Sequence, residues 1–343
     1  GDTRYILSTL ETNFIWDGGG EDTLDATSAD RRITLSLDVG VQSYFGTSPN
    51  SLITAAGQVT INMGTLIENV DATPFDDEVS GNAAANRLDG RAGNDTLMGR
   101  AGNDVLIGGP GDDLLDGGEG VDIAQYLDAP GSVRVDLQAG SADGAAGKDR
   151  LISIEGIWGS AFDDVLLGSD GDDLFRGGAG NDQIDGRGGT DLVEILADFA
   201  ACEISFEGDA CRIFAPNFGT DTLTNVERVL FLGQSRVEKT ISELKALVPA
   251  NKAPSFASAT QSLSVDEDKT LSLSVEAQDP DGDPLTYAVS QGANGRAQIS
   301  GNSLTYTPNP NFAGEDRVLV TARDAKGGEA QLSLLIRVDE VND

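Results

Sequence analysis

The sequence counts in nines. From Ala72 to Gln125 a nine-residue frame runs without a gap, and its sixth position holds Asp77, Asn86, Asp95, Asp104, Asp113 and Asp122. Its eighth position holds Val79, Leu88, Leu97, Leu106, Leu115 and Ala124. The frame resumes at Gly159, with Asp164, Asp173, Asp182 and Asp191 sixth and Leu166, Phe175, Ile184 and Val193 eighth. An isolated copy, DGGGEDTLD, spans Asp17 to Asp25 around Asp22. Such a period predicts a very short strand with the eighth side chain inward, followed by a Gly-rich turn. Two nonapeptides then complete one coil, and each coil offers only two inward apolar residues. A core therefore arises only when coils stack.

Stacking at the ordinary inter-strand spacing brings like charges together. It predicts the pairs Asp77–Asp95, Asp95–Asp113, Asn86–Asp104, Asp104–Asp122, Asp164–Asp182 and Asp173–Asp191, each one coil apart. Two unit charges about 4.8 Å apart repel by roughly 1 kcal/mol in water and by more where water is excluded. A cation between coils reverses the sign. Ca2+ takes about 6–8 oxygen ligands, which carboxylates and the carbonyls of Gly-rich turns supply. Hard oxygen donors favour it over Zn2+ or Cu2+.

The best-kept copies, GGPGDDLLD (Gly108 to Asp116) and GGAGNDQID (Gly177 to Asp185), resemble the calcium-binding nonapeptide of RTX proteins. The resemblance covers roughly residues 12 to 235 and implies a parallel β-roll that binds several Ca2+ ions. Candidate ligands are Asp17, Asp22, Asp25, Asp77, Asn86, Asp95, Asp104, Asp113, Asp116 and Asp122 in the first part. Asp164, Asp173, Asp182, Asp185 and Asp191 follow, with the turn residues Gly93, Gly102, Gly109, Gly111, Gly178 and Gly180. Phe75 and Phe162 replace the fourth-position Gly, and Asn86 replaces an Asp. These departures mark the first coil of each stack, where one side of the metal site is incomplete. The amino-terminal stretch is similar to the segment that joins catalytic domain and β-roll in serralysin metalloproteases.

A larger repeat encloses the small one. IENVDATPFDDEV (Ile67 to Val79) matches IEGIWGSAFDDVL (Ile154 to Leu166), and VERVLF (Val226 to Phe231) echoes its opening. Two follow similar lead-ins, GKDRLISIEGI and GTDTLTNVERV. Glu68, Glu155 and Glu227 thus recur at the edge of each roll, as further calcium ligands, edge caps or solvated strand residues. Residues 124–151 and 195–214 alternate apolar and polar positions and read as antiparallel hairpins packed on the rolls. Cys202 and Cys211 flank a hairpin turning near Gly208; their spacing permits a disulfide and equally two small buried hydrophobes.

Residues 236–250 read as a linker, with EKTISELKALV (Glu238 to Val248) a short helix capped near Thr240 or Ser242. From residue 251 about seven alternating strands suggest a Greek-key β-sandwich. VDEDKTLSL, DPDGDPLTY, ARDAKGG and VDEVND resemble a bacterial cadherin-like repeat. That resemblance implies Ca2+ at a junction with neighbouring repeats of the parent chain, held by Glu267, Asp279, Asp281, Asp283 and Asp324 close together. Asn251 would contribute on one side, and Asp339, Asn342 and Asp343 on the other.

The fold class expected is all-β: a roll at 1–235, with arrays at about 72–125 and 159–194, and a sandwich at 251–343. The chain has no His, which removes Ser-His-Asp, Cys-His and HExxH chemistry from this stretch. With 57 acidic and 23 basic residues, a formal charge of -34, it lacks the basic footprint that nucleic acid or an anionic membrane requires. It has neither a long apolar run nor a signal-like start, and reads as a piece of something larger. Three functions fit: a calcium-folded structural and adhesive segment of a secreted bacterial exoprotein of type I export, the non-catalytic tail of an extracellular hydrolase, or a glycan-binding module. Surface aromatics suit sugars, but Trp16 and Trp158 sit in apolar strand contexts and read as core.

Overall fold

In this computed structural model, which describes residues 1–50, 52, 54–249 and 251–341, the chain forms two compact units, Gly1–Val248 and Pro249–Asp343. The first is built from a sheet of eleven strands and a sheet of fifteen. Alternate nonapeptides feed opposite sheets. Thr96–Ala101 lies parallel to Glu78–Ser80 and Leu114–Glu119, with Leu97 facing Val79 and Leu115. Val105–Ile107 lies between Arg87–Asp89 and Ile123–Gln125, with Leu106 facing Leu88 and Ala124. These eighth-position side chains are essentially inaccessible to water, so the core is two facing ladders of single residues, as the period requires.

The two arrays are one stack. In the eleven-stranded sheet Ile123–Gln125 pairs directly with Gly156–Trp158, so the ladder passes from Ala124 to Ile157 without a break. Only the other sheet is interrupted. There Val133–Asp136, Ser141–Gly144 and Gly147–Ile152 form antiparallel strands between Leu114–Glu119 and Val165–Leu167. The expectation of a separate first coil at Gly159 is corrected by this: IEGI supplies the strand that bridges the arrays. The larger repeat has the same use elsewhere, since Asn69–Asp71 and Arg228–Leu232 both lie in the through-running sheet.

Hairpins form where alternation suggested them; of the two readings of the cysteines the free, packed one holds, while the core reading of Trp16 fails. In the hairpin Glu203–Glu207/Ala210–Ala215, Cys211 faces Phe206, and Glu203 faces Phe214. Cys202 precedes the first strand, and both thiols are free. Phe206, the residue that faces Cys211, lies four positions beyond Cys202, so the hairpin turns two residues later than direct facing of the two cysteines requires. Trp16, expected in the core, is 76% exposed just beyond the strand Asn13–Ile15. Trp158 is half-buried, with the Arg176 guanidinium 4.2 Å from its ring centre.

The stretch read as a linker belongs largely to the first unit. Arg236–Thr240 pairs antiparallel with Arg228–Leu232. A helix follows at Ile241–Leu247, with Thr240 and Glu243 forming a reciprocal capping box. Leu244 on this helix is fully buried in the roll core.

Three arginines, Arg91, Arg100 and Arg187, occupy the second repeat position, where the motif has Gly, and hold φ of 76°, 80° and 64°. Arg187 compensates by gripping Asp136 of the inserted hairpin through both guanidinium nitrogens at 2.8 Å. Arg100 similarly reaches Asp38.

The second unit is a sandwich. Leu285–Val289, Gly314–Asp324, Glu329–Asp339 and Thr260–Asp266 form one sheet, the last two strands running parallel. Leu271–Ser274, Ser303–Pro308 and Gly295–Ser300 form the other. Its core centres on Leu304, Tyr306, Val318, Val320 and Leu334.

Candidate metal centres

Every predicted carboxylate pair is present, and the geometry adds a rule. In each pair the Oδ1 of the later residue accepts the backbone N–H of the earlier. The distances are 2.7 Å for Asp77 to Asp95 and for Asn86 to Asp104, and 2.8 Å for Asp95 to Asp113 and Asp104 to Asp122. Asp164 to Asp182 and Asp173 to Asp191 span 2.8 and 2.9 Å. The second oxygen separates the ladder into two kinds. The Oδ2 atoms of Asp22, Asp95, Asp104, Asp113, Asp122, Asp182 and Asp191 are buried and have no hydrogen-bond partner among the described residues. A buried carboxylate oxygen left so costs several kcal/mol unless a proton or cation meets it.

The leading coils differ. Asp77 accepts from the Ile33 and Thr73 amides and the Thr73 hydroxyl. Asp164 is satisfied in the same way by Val133 and Ser160, and Asp173 by Ser169. Asn86 accepts from the Asn82 amide and donates to the Ile67 and Glu68 carbonyls. At these four positions Thr, Ser or Asn replaces the second-position Gly, and its amide, with the hydroxyl where there is one, takes the place of a cation.

The ladders end on acids from outside the nonapeptides. Glu68, Glu155 and Glu227 accept the N–H of Asp22, Asp122 and Asp191 at 2.8, 3.0 and 2.9 Å. They cap the edge rather than lie solvated. On the other edge Asp149 and Asp221 receive Asp113 and Asp182. Sequence reasoning missed these two, although GKD and GTD in the matching lead-ins carry them.

The turn glycines supply the remaining oxygens. Gly93, Gly102, Gly109, Gly111, Gly178 and Gly180 all hold positive φ. A Cβ on Gly109 or Gly111 would overlap the carbonyl oxygen of Arg91 or Gly93 in the preceding coil. A Cβ on Gly108 would strike Asp113 Oδ2. Unpartnered carboxylate oxygens beside close-packed carbonyls form a hard, anionic donor set, and it fits Ca2+. Burial pushes Asp95 up to about 8, Asp113 to about 7, and Asp104 and Asp191 to about 6. Burial likewise raises Asp182, with Asp221 and Asp164 adding like charge.

Other candidates are engaged elsewhere. Asp17 accepts from the Tyr5 hydroxyl at 2.6 Å, which with the Gly19 amide holds it down at about 2. Asp25 pairs with Arg4 and Thr27. Asp185 accepts from Asn225 and the Arg187 amide. Asp116 lies half-buried at the ninth position, outside the ladder.

In the second unit Asp279, Asp281 and Asp283 converge, with ligand atoms within 4.8 Å of one another. Asp281 is held below the usual range first by the Lys252 amide, and Asp324 first by Asn251. Lys326 lies 3.0 Å from Asp283, so two lysines already face this cluster. Glu267 is not there, which corrects the expected grouping. Asp266 pairs with Asp339 at one end of the strand Glu329–Asp339, whereas Arg323, beside Asp324, pairs with Glu329 at the other. Ten residues of strand, about 33 Å, separate them. Glu267 accepts instead from the Val341 amide. Asn342 and Asp343 lie outside the described residues.

The RTX calcium-binding nonapeptide repeat family matches residues 71–106, 89–124 and 158–193. The bacterial Ig domain family matches residues 251–337. None of the curated proteins matches the chain. Among solved structures, a nucleoside hydrolase-related hypothetical protein from Saccharophagus degradans, associated with carbohydrate metabolism, is 18% identical over 36% of this chain and 36% of its own, with TM-score 0.24. Drosophila N-cadherin EC1-4 is 16% identical over 39% and 32%, with TM-score 0.23. Protocadherin Gamma C5 EC1-3 is 13% identical over 42% and 44%, with TM-score 0.24. The chain spans under half the length of each, and these partial likenesses carry no functional weight.

Proposed function

Because this chain carries RTX calcium-binding nonapeptide repeats followed by a bacterial Ig domain, we propose that it is a calcium-folded structural and adhesive segment of a large secreted bacterial exoprotein, without catalysis of its own. The observation that carries the reading is the set of buried carboxylate oxygens with no partner. Where calcium is scarce, these charges oppose stacking and the roll stays open. Where it is plentiful, ion binding becomes folding free energy. RTX repeats and bacterial Ig domains belong to secreted or surface proteins. No helix among the described residues is long and apolar enough to cross a membrane. The adhesive role rests on the Ig unit as one of a series that would project a binding surface.

Circular dichroism of chelator-stripped protein titrated with Ca2+, against Mg2+, tests the proposal. A cooperative gain of β signal with Ca2+ alone is expected. A metal-free chain that is already folded and indifferent to Ca2+ would remove its basis. Adhesion is tested on the folded form, as retention on polysaccharide or cells that chelator abolishes.

A further inference from the structure

Beside the calcium ladder, the through-running sheet and the loop that leaves it after Gln125 enclose a cavity of about 190 Å³. One wall is apolar: Ile107, Pro110, Ala129 and Pro130. Polar Asp89, Arg91 and Gln125 share the lining, with Asp89 in register beside Ile107. Gln125 is only 9% exposed and lines the cavity, and none of the hydrogen bonds among the described residues engages its side-chain amide. Its charged neighbours pair with one another and keep further donors and acceptors. Asp89 lies 3.4 Å from both Arg87 and Arg91, and Arg91 also reaches Asp71 at 3.2 Å.

A largely buried side chain whose amide has no protein partner and opens onto a cavity offers a ligand a place to complete the hydrogen bonding. The space equals about six waters, the bulk of one sugar ring. One amide offers a donor and an acceptor together, the guanidinium donates and the carboxylates accept, which suits hydroxyls that do both. The proline and isoleucine wall suits the C–H face of the same ring. Asp128, exposed at the rim, adds an acceptor without requiring a charged ligand.

We propose that this cavity binds a neutral hexose-type ring, either free or as the terminal residue of a glycan. The proposal deepens the adhesive reading and rests on the calcium-folded roll. Tyr126 lines the cavity and donates to Asp149 at 2.9 Å, and Asp149 caps the Asp113 ladder. The Arg91 carbonyl packs on Gly109 of the next coil. The pocket walls are therefore made of the calcium loops themselves.

Saturation-transfer NMR on the full calcium-loaded chain tests it, with glucose, galactose, mannose and N-acetylglucosamine, each also as α- and β-methyl glycosides. A single ring in so small a site binds in the millimolar range. We expect one stereochemical class to bind in Ca2+ and not in chelator, and to lose about tenfold or more in affinity in Gln125→Leu. Arg91→Gly, which restores the repeat glycine and so favours folding, should weaken it as well. Binding of the free sugar without either glycoside would assign a soluble ligand; binding of a glycoside would assign a glycan terminus. Circular dichroism separates the two levels. A chain that folds with Ca2+ but binds none of these sugars, or binds them unchanged in both variants, overturns the pocket and leaves the calcium reading intact.

Discussion

At the scale of single residues, the second oxygen of each ladder carboxylate decides its role. Asp104→Asn should raise the calcium midpoint of folding about tenfold or more, because it neutralises an oxygen that only a cation answers. Asp77→Asn should shift the midpoint far less, since Thr73 and Ile33 already saturate that carboxylate. Equal shifts in a calcium titration of the two variants would refute the distinction. The pH dependence follows from the same burial. Asp95, Asp113, Asp104 and Asp191 titrate at about 6 to 8 in the metal-free fold, well above the about 3.9 of an unfolded chain. The folded state thus holds more protons between those values. Their contribution to metal-free stability is full below about pH 4 and is lost as pH rises through 6 to 8. Calcium must displace those protons, so its midpoint should rise as pH falls across that window. A midpoint flat from about pH 8 to about pH 5.5 would contradict it. The ladder itself was legible because its period does not slip within either array. Asp149 and Asp221 were not, because they lie 36 and 39 residues beyond their partners rather than one coil.

At the scale of elements, short strands and hairpins follow from alternation, whereas register does not. The cysteine pair shows why: a hairpin was evident, but the position of its turn decides which side chains face each other. Trp16 shows the same limit, since an apolar neighbourhood in sequence does not say whether a strand end is covered. The inserted hairpins are held by particular contacts, and the Arg187–Asp136 grip is the clearest. Arg187→Gly relieves a left-handed backbone worth about 1 kcal/mol but gives up a partly buried bidentate pair of about 1–3 kcal/mol. The expected outcome is faster amide exchange confined to Val133–Asp136, with the nonapeptide strands unchanged. Uniform loss of protection across the stack would mean that the hairpin is integral to the roll.

At the scale of the whole molecule, the two units should answer calcium differently. Both tryptophans, Trp16 and Trp158, lie in the first unit, while Tyr306 is buried in the sandwich core beside Asp316. Chelation should therefore abolish the native tryptophan emission while the near-ultraviolet signal of the sandwich persists, because Lys252 and Lys326 already balance much of its acidic cluster. Simultaneous loss of both signals would contradict this independence. The sequence made both units legible but suggested separate stacks, since the eye follows the motif and the bridging strands lack it.

The stack also has a mechanical reading. Its first strand, Arg4–Ile6, and its last, Arg236–Thr240, lie at opposite edges of the through-running sheet, so tension between them meets the coils one after another rather than all together. Each coil that opens pays out about 60 Å of slack. A single-molecule pulling trace of the first unit should climb in a train of such steps with Ca2+ and run smooth in chelator. A lone abrupt rupture would contradict it. Held at both ends, the roll would act as a shock absorber whose stiffness is set by the dissolved ion.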